Sequence, residues 1–283
     1  MPSWSARGRS PTREVADATA DLRRLALDRP ELAGPAAALA PVIEVAFARP
    51  MGPPRPVDAE AAARAWAGGQ PFLRAHPPEV VPSWLAAQVS AILHKLEPTN
   101  VDARPFRRAV RRDHDRLAGW GRRLIAGDAD GVRLDARGRA IDPDLAVSVL
   151  RIGLLPELRR HADALGNPGD RWARGDCPCC GDRPALAELR GLEQALILRC
   201  GLCAAGWPGP RLGCPDCGST DHRDRGLRHV DGEHDRRLAL CAACGGRLKI
   251  VSTLGPLSPP GLLVADLASV HLDLLHADSR TSS

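Results

Sequence analysis

The strings CPCC at 177–180, CGLC at 200–203, CPDC at 214–217 and CAAC at 241–244 decide how this chain is read, because they hold eight of its nine cysteines. Within a Cys-x-x-Cys pair a tight turn aims two thiolates at one ion and leaves backbone amides free to bond the sulfurs. Two such pairs complete a tetrahedron. Nineteen residues separate Cys177/Cys180 from Cys200/Cys203, and twenty-three separate Cys214/Cys217 from Cys241/Cys244. These spacings predict two four-cysteine metal sites in series.

The segments between the pairs read as hairpins. Apolar residues at 185–189 and 195–198 flank Arg190, Gly191, Leu192 and Glu193. Residues 227–230 and 237–240 flank a turn at Asp231 and Gly232. Each hairpin returns the chain to its own first cysteine pair, which favours sequential over interleaved sites. Gly181, Gly218 and Gly245 follow three of the pairs, where a residue free to take positive φ lets the knuckle close; Ala204 breaks this pattern at the fourth. Four thiolates around a divalent ion leave two negative charges, which Arg183, Arg199 or Arg247 are placed to offset. The ninth thiol, Cys179, reads as an unpaired bystander, and His222, His229 and His234 as exposed loop residues outside ligand spacing.

Four sulfurs in a tetrahedron hold zinc or iron. Structural zinc would order hairpins too small to fold alone, with roughly 10 kcal/mol of binding energy per site. Rubredoxin-like iron would be redox-active in the same cage. Spacing leaves both open.

Composition bounds the rest. The 283 residues are 44% apolar and 26% charged, with three Phe, six Trp and no Tyr, so aliphatic packing must build the core. Arginine supplies nearly all the positive charge, lysine occurring only at Lys95 and Lys249. A net charge of +5 is weak for this length and points to no nucleic acid by itself. No run approaches eighteen apolar residues, and the first twelve residues lack the apolar core of a secretory signal. A cytoplasmic protein is expected. In that reducing compartment paired cysteines serve metals rather than disulfides.

Ahead of the cysteines, apolar residues recur at helical spacing. Helices are predicted from Thr12 as cap to residue 29, over 35–48, over 58–67 ending at Gly68 and Gly69, and over 84–96. The proline-rich stretch 49–58 reads as an extended connector. Residues 106–126 carry Arg107, Arg108, Arg111, Arg112, Arg116, Arg122 and Arg123 among Val110, Leu117, Trp120 and Leu124, and read as helix with a solvated basic face. Residues 127–139 read as a loop. A helix from Asp142 or Asp144 to about Leu165 follows, and Gly166, Asn167, Pro168 and Gly169 mark a boundary at which Trp172 packs. The predicted class is multidomain, α plus small β. It comprises a helical body (1–168), two rubredoxin-like or zinc-ribbon modules (169–211 and 212–254), and a C-terminal helix with tail (255–283). No nucleophile elbow, phosphate-binding glycine loop or H-E-x-x-H is present, so an enzyme is not expected.

The order of these strings resembles the FdhE-type accessory proteins of formate dehydrogenase maturation. The resemblance is carried by Cys177-Pro178-Cys179-Cys180-Gly181, by Arg199-Cys200-Gly201-Leu202-Cys203 with Trp207, and by Cys214-Pro215-Asp216-Cys217-Gly218-Ser219. It continues through Cys241-Ala242-Ala243-Cys244-Gly245 with Leu248-Lys249-Ile250, then Ala265-Asp266-Leu267-Ala268-Ser269 with Leu272-Asp273. It covers about the last hundred residues. It implies a cytoplasmic factor that binds the catalytic subunit of a respiratory formate dehydrogenase and carries rubredoxin-type iron at Cys177, Cys180, Cys200, Cys203, Cys214, Cys217, Cys241 and Cys244. It implies no formate oxidation by this chain. Cys179 and the short polar ending after His276 depart from the family's pattern. The readings from other classes are a nucleic-acid-binding zinc ribbon, which would need exposed aromatic faces, and an iron-based electron carrier.

Overall fold

The computed structural model describes residues 10–48, 55–210, 213–230 and 232–274. Most of the proline-rich connector, Asp231 of the second hairpin turn, and the two chain ends with their expected lack of signal and short polar tail lie outside the described residues.

Among the described residues, nine α-helices precede the cysteines: α1 (Pro11–Asp28), α2 (Ala33–Ala46), α3 (Ala59–Ala67), α4 (Phe72–Ala75), α5 (Pro82–Leu96), α6 (Ala103–Arg112), α7 (His114–Ile125), α8 (Ala129–Arg137) and α9 (Pro143–Leu165). Four of their starts share one chemistry. Asp58, Asp113, Asp128 and Asp142 each accept an amide hydrogen from the first turn of the helix that follows, offsetting donors that the helix cannot satisfy itself. Proline stands in the first turn of α1, α5 and α9, where its missing N–H costs nothing.

α5 is the hub of the body. Its Leu85, Val89, Ile92 and Leu93 are wholly buried, and Leu150, Leu154, Leu155 and Leu158 of α9 close the same core. Gly153 lets α9 approach closely, since a methyl there would stand 3.3 Å from Val89.

Six strands follow: β1 (Pro184–Arg190), β2 (Ala195–Cys200), β3 (Gly206–Pro208), β4 (Arg225–Arg228), β5 (Arg236–Cys241) and β6 (Arg247–Thr253). Both expected hairpins form, as antiparallel β1–β2 and β4–β5. They share one sheet of order β3-β2-β1-β6-β5-β4, joined by a parallel β1–β6 pairing in which Ala187 faces Ile250. The expected C-terminal helix is α10 (Pro259–Ala268), followed by α11 (Val270–Leu274). α10 returns to pack against α1, the start of the described chain.

Three helix expectations change. Ser10, not Thr12, caps α1, its hydroxyl accepting from the Arg13 amide. The basic stretch 106–126 is two helices, because Asp113 leaves helical geometry (φ −149°, ψ 83°) and turns its carboxylate to the Arg116 amide. Residues 127–139 are mostly helix rather than loop. Gly127, at φ +90°, ends α7, and Asp128 caps α8 at once, so two helix-end signals in tandem had the composition of a loop. No helix among the described residues is long and apolar enough to cross a membrane.

Candidate metal centres

The four Cys-x-x-Cys turns are built alike. In each, the amide of the first cysteine donates to the carbonyl five residues on, and the amide four residues on donates back. The bonds are Cys177 to Asp182 and Gly181 to Cys177, Cys200 to Ala205 and Ala204 to Cys200, Cys214 to Ser219 and Gly218 to Cys214, and Cys241 to Gly246 and Gly245 to Cys241, all between 2.8 and 3.1 Å. Closing the loop requires positive φ at the fourth residue after the first cysteine. Gly181, Gly218 and Gly245 take +75°, +74° and +70°, and Ala204 takes the same conformation at +54°. The exception in sequence is no exception in geometry; the turn imposes on alanine what glycine adopts freely.

The knuckles pair sequentially. Cys177, Cys180, Cys200 and Cys203 form one group and Cys214, Cys217, Cys241 and Cys244 another, with the sulfurs of each group within 4.8 Å of one another. A tetrahedral ion with sulfur at about 2.3 Å needs sulfurs about 3.8 Å apart. Cys177–Cys203 and Cys180–Cys200 lie at 3.5 and 3.4 Å, and Cys214–Cys244 and Cys217–Cys241 both at 3.7 Å. Both groups fit a metal ion. Amides already point at sulfurs: Leu202 and Cys203 donate to Cys200 Sγ at 3.3 and 3.4 Å, and Gly246 to Cys244 Sγ at 3.3 Å.

Charge reinforces the fit, since four neighbouring thiols cannot all ionise without a cation. Burial pushes Cys177 and Cys203 far above the ordinary thiol value, and the Cys177 and Cys200 sulfurs push Cys180 up likewise. Burial opposes ionisation of Cys200 too, yet hydrogen bonds from Cys177, Cys180 and Cys203 bring it well below that value. In the second group Cys241 falls, burial being outweighed by the Cys244 amide and the neighbouring thiols. Cys244, despite the Gly246 amide, is pushed by Cys217 and burial up to about 12. One favoured thiolate among raised thiols is a donor set whose remaining protons a divalent ion would displace.

Of the arginines nominated by sequence, Arg199 reaches the first group, at the Ala204 carbonyl of its second knuckle. Arg199 is taken up by the buried Glu188 and by the carbonyls of Ala204 and Leu257 (3.2 and 2.9 Å). Arg183 is largely exposed and pairs with Asp216 at 3.6 Å; Arg247 is exposed. The helical body adds Arg74, which donates to Gly181 O at 2.9 Å, Arg159, which donates to Ala204 O at 2.7 Å, and Arg151, which pairs with Asp182. Asp182 is held up at about 6 by burial and by the Cys200 sulfur, against the pull of Arg151. These three arginines precede the first cysteine, where no local spacing signals them.

Cys179 is buried outside both groups. His222, His229 and His234 are exposed. Trp172 packs at the join as expected, its indole donating to Asp176 O at 2.7 Å. Trp207 is completely buried and donates to Arg174 O at 3.2 Å, so it presents no face on which a base could stack.

No family model matches the chain. In sequence it is 33% identical over 129 residues to a protein FdhE homolog of Aquifex aeolicus, covering 43% of this chain and 44% of that one. It is 33% identical over 170 residues to a protein FdhE homolog of Pseudomonas putida, covering 57% of this chain and 50% of that one. The chain thus spans about half the length of the curated relatives it matches. In structure it superposes on the crystal structure of the FdhE protein from Pseudomonas aeruginosa with a TM-score of 0.68 at 22% identity, covering 96% of this chain and 93% of that one. The chain is FdhE-like in sequence and in fold. The FdhE resemblance read from the cysteine strings therefore holds, as does the class of helical body, small sheet with two four-cysteine groups, and C-terminal helix.

Proposed function

We propose that this FdhE-like chain is a cytoplasmic accessory protein of formate dehydrogenase maturation, which binds the catalytic subunit and catalyses no reaction itself. In this reading Cys177, Cys180, Cys200 and Cys203 hold one metal ion and Cys214, Cys217, Cys241 and Cys244 hold another. The ions are iron, as the FdhE resemblance implies, or zinc, which the same sulfurs accept. The observation that carries the reading is the closure of all eight paired cysteines into two tetrahedral groups on a chain with FdhE-like sequence and fold. The metals fix the shape of the sheet, and that sheet with the helical body forms the docking surface for an incompletely assembled subunit.

Two measurements test it. Elemental analysis with an optical spectrum, on protein purified without added metal, should give two ions per chain and distinguish coloured iron from colourless zinc. A pull-down from cells expressing the dehydrogenase should recover the catalytic subunit with the wild-type chain and much less with Cys214→Ser/Cys217→Ser, whose helical circular dichroism should be retained. Equal recovery by both would remove the second metal site from docking, and recovery by neither would remove the partner assignment.

A further inference from the structure

The two cysteine groups have the same turn geometry and very different surroundings. All four cysteines of the first group are buried. Its first knuckle lies under the helical body. The Trp66 indole donates to Pro178 O at 3.0 Å, the amides of Phe72 and Leu73 donate to Pro178 O and Cys179 O at 3.0 and 2.8 Å, and Arg74 donates to Gly181 O. The fit is close enough that a methyl group at Gly181 would stand 2.6 Å from both Arg74 and Pro71. The second knuckle of this group is buried at Leu202, Cys203 and Ala204 and bonded by Arg159.

The other group is open. Cys217 and Cys244, the second cysteine of each of its knuckles, are exposed, as are Gly218, Ala242, Ala243 and Gly245 around them. Cys214 and Cys241 are buried beneath. One edge of the sulfur tetrahedron therefore faces solvent.

We propose that the two sites differ in exchange. The inner one, at Cys177, Cys180, Cys200 and Cys203, is a locked structural site. The outer one, at Cys214, Cys217, Cys241 and Cys244, releases and rebinds its ion while the body stays folded. The inference rests on the reading that both groups hold metal. Its physical basis is access. A thiolate leaves a metal when a proton or competing ligand reaches it, and the shell around the site controls that approach. At the outer site an incoming ligand meets an exposed sulfur edge. At the inner site it must wait until the contacts with α3 and α4 break, a local unfolding that costs several hydrogen bonds at once. The helical body is thus a lid on one metal and not the other, and the outer site is the one whose occupancy can follow metal supply.

The test uses the full chain loaded with zinc, checked for two ions by elemental analysis, and mixed with excess 4-(2-pyridylazo)resorcinol. Zinc should appear in two phases of equal amplitude, the slow one at least about a hundred-fold slower, as expected where exchange waits on local opening. Cys214→Ser/Cys217→Ser should lose the fast phase. Trp66→Phe, which deletes the indole donor to Pro178, should speed the slow phase about five- to ten-fold and leave the fast one unchanged. If the double variant misfolds, the wild-type chain still decides. With chelator and N-ethylmaleimide present, peptide mapping should find label at the outer four cysteines before the inner four. Release of both zincs in one phase, or first labelling at Cys177 or Cys180, would overturn the inequivalence while leaving two metal sites. Failure to take up zinc or iron at all would overturn the metal reading and the inference with it.

Discussion

Gly175 lies against the backbone of Pro215 so closely that a methyl group built on it would stand 1.8 Å from the Pro215 carbonyl oxygen and 2.4 Å from its carbon. Gly175 precedes the first knuckle, whereas Pro215 sits inside Cys214-Pro215-Asp216-Cys217, so this contact seats the outer site on the approach to the inner one. Backbone cannot rotate away as a side chain can. Gly175→Ala is therefore expected to displace the outer knuckle at a cost of about 3 kcal/mol, at the upper end for overpacking. Elemental analysis should find close to one metal per chain rather than two, with the helical circular dichroism unchanged. Two tightly held ions in this variant would show that the outer site does not depend on that seat.

A second dependence is buried in the sheet. Glu188 on β1 is wholly inaccessible and pairs with Arg199 on β2, while also accepting from Arg190 Nη2 at 3.1 Å and Thr253 Oγ1 at 3.0 Å. Arg199 Nε has no partner among the described residues and its Nη2 meets only carbonyls, so Glu188 is what answers the guanidinium's charge. Removing one member of such a pair leaves a charge in a medium that cannot solvate it. Glu188→Ala should cost about 3–5 kcal/mol. Glu188→Leu combined with Arg199→Met should return at least half of that loss, since an apolar pair of similar volume leaves no charge at the core position and only the partly exposed Arg190 loses its carboxylate. Urea unfolding of the metal-loaded proteins checks both values, and a double variant as unstable as the single one would show that the cost lies in packing.

What the sequence made legible follows from the range of each interaction. The knuckles were readable because their chemistry is local: a cysteine, two residues, a cysteine and a glycine define a turn before any tertiary contact. Sequential closure was readable from hairpin length. Ala204 misled only because residue identity records the cheapest occupant of a positive-φ position and not the conformation itself. Gly127 and Asp128 misled because the end of one helix and the cap of the next use the same residues as a loop. The roles of Arg74, Arg151 and Arg159 were invisible, since each reaches a cysteine knuckle from a helix many residues away. The parallel pairing of β1 with β6 was likewise silent, as strands about sixty residues apart carry no mutual register in their own patterns.

The strings that resemble FdhE beyond the cysteines meet at Lys249, whose ammonium on β6 contacts Asp266 Oδ1 at 2.5 Å and Asp273 Oδ2 at 3.0 Å and thereby ties α10 and α11 to the sheet. Burial alone would lower the Lys249 pKa, but the Asp266 and Asp273 carboxylates outweigh it and raise it above the ordinary 10.5. A group whose pKa is higher folded than unfolded contributes fully below the unfolded value and loses that contribution as pH climbs through the folded one. Lys249→Met should therefore cost about 1–2 kcal/mol at pH 8, a modest figure because both carboxylates are half exposed. The gap between wild type and variant should then close from about pH 10.5 upward. With only one other lysine and no tyrosine in the chain, few side chains besides the thiols obscure this window. Unfolding free energies of the two proteins from about pH 8 to 11.5 measure the gap directly. A gap that stayed constant across that range would mean that Lys249 holds the C-terminal helices through its aliphatic stem and not through its charge.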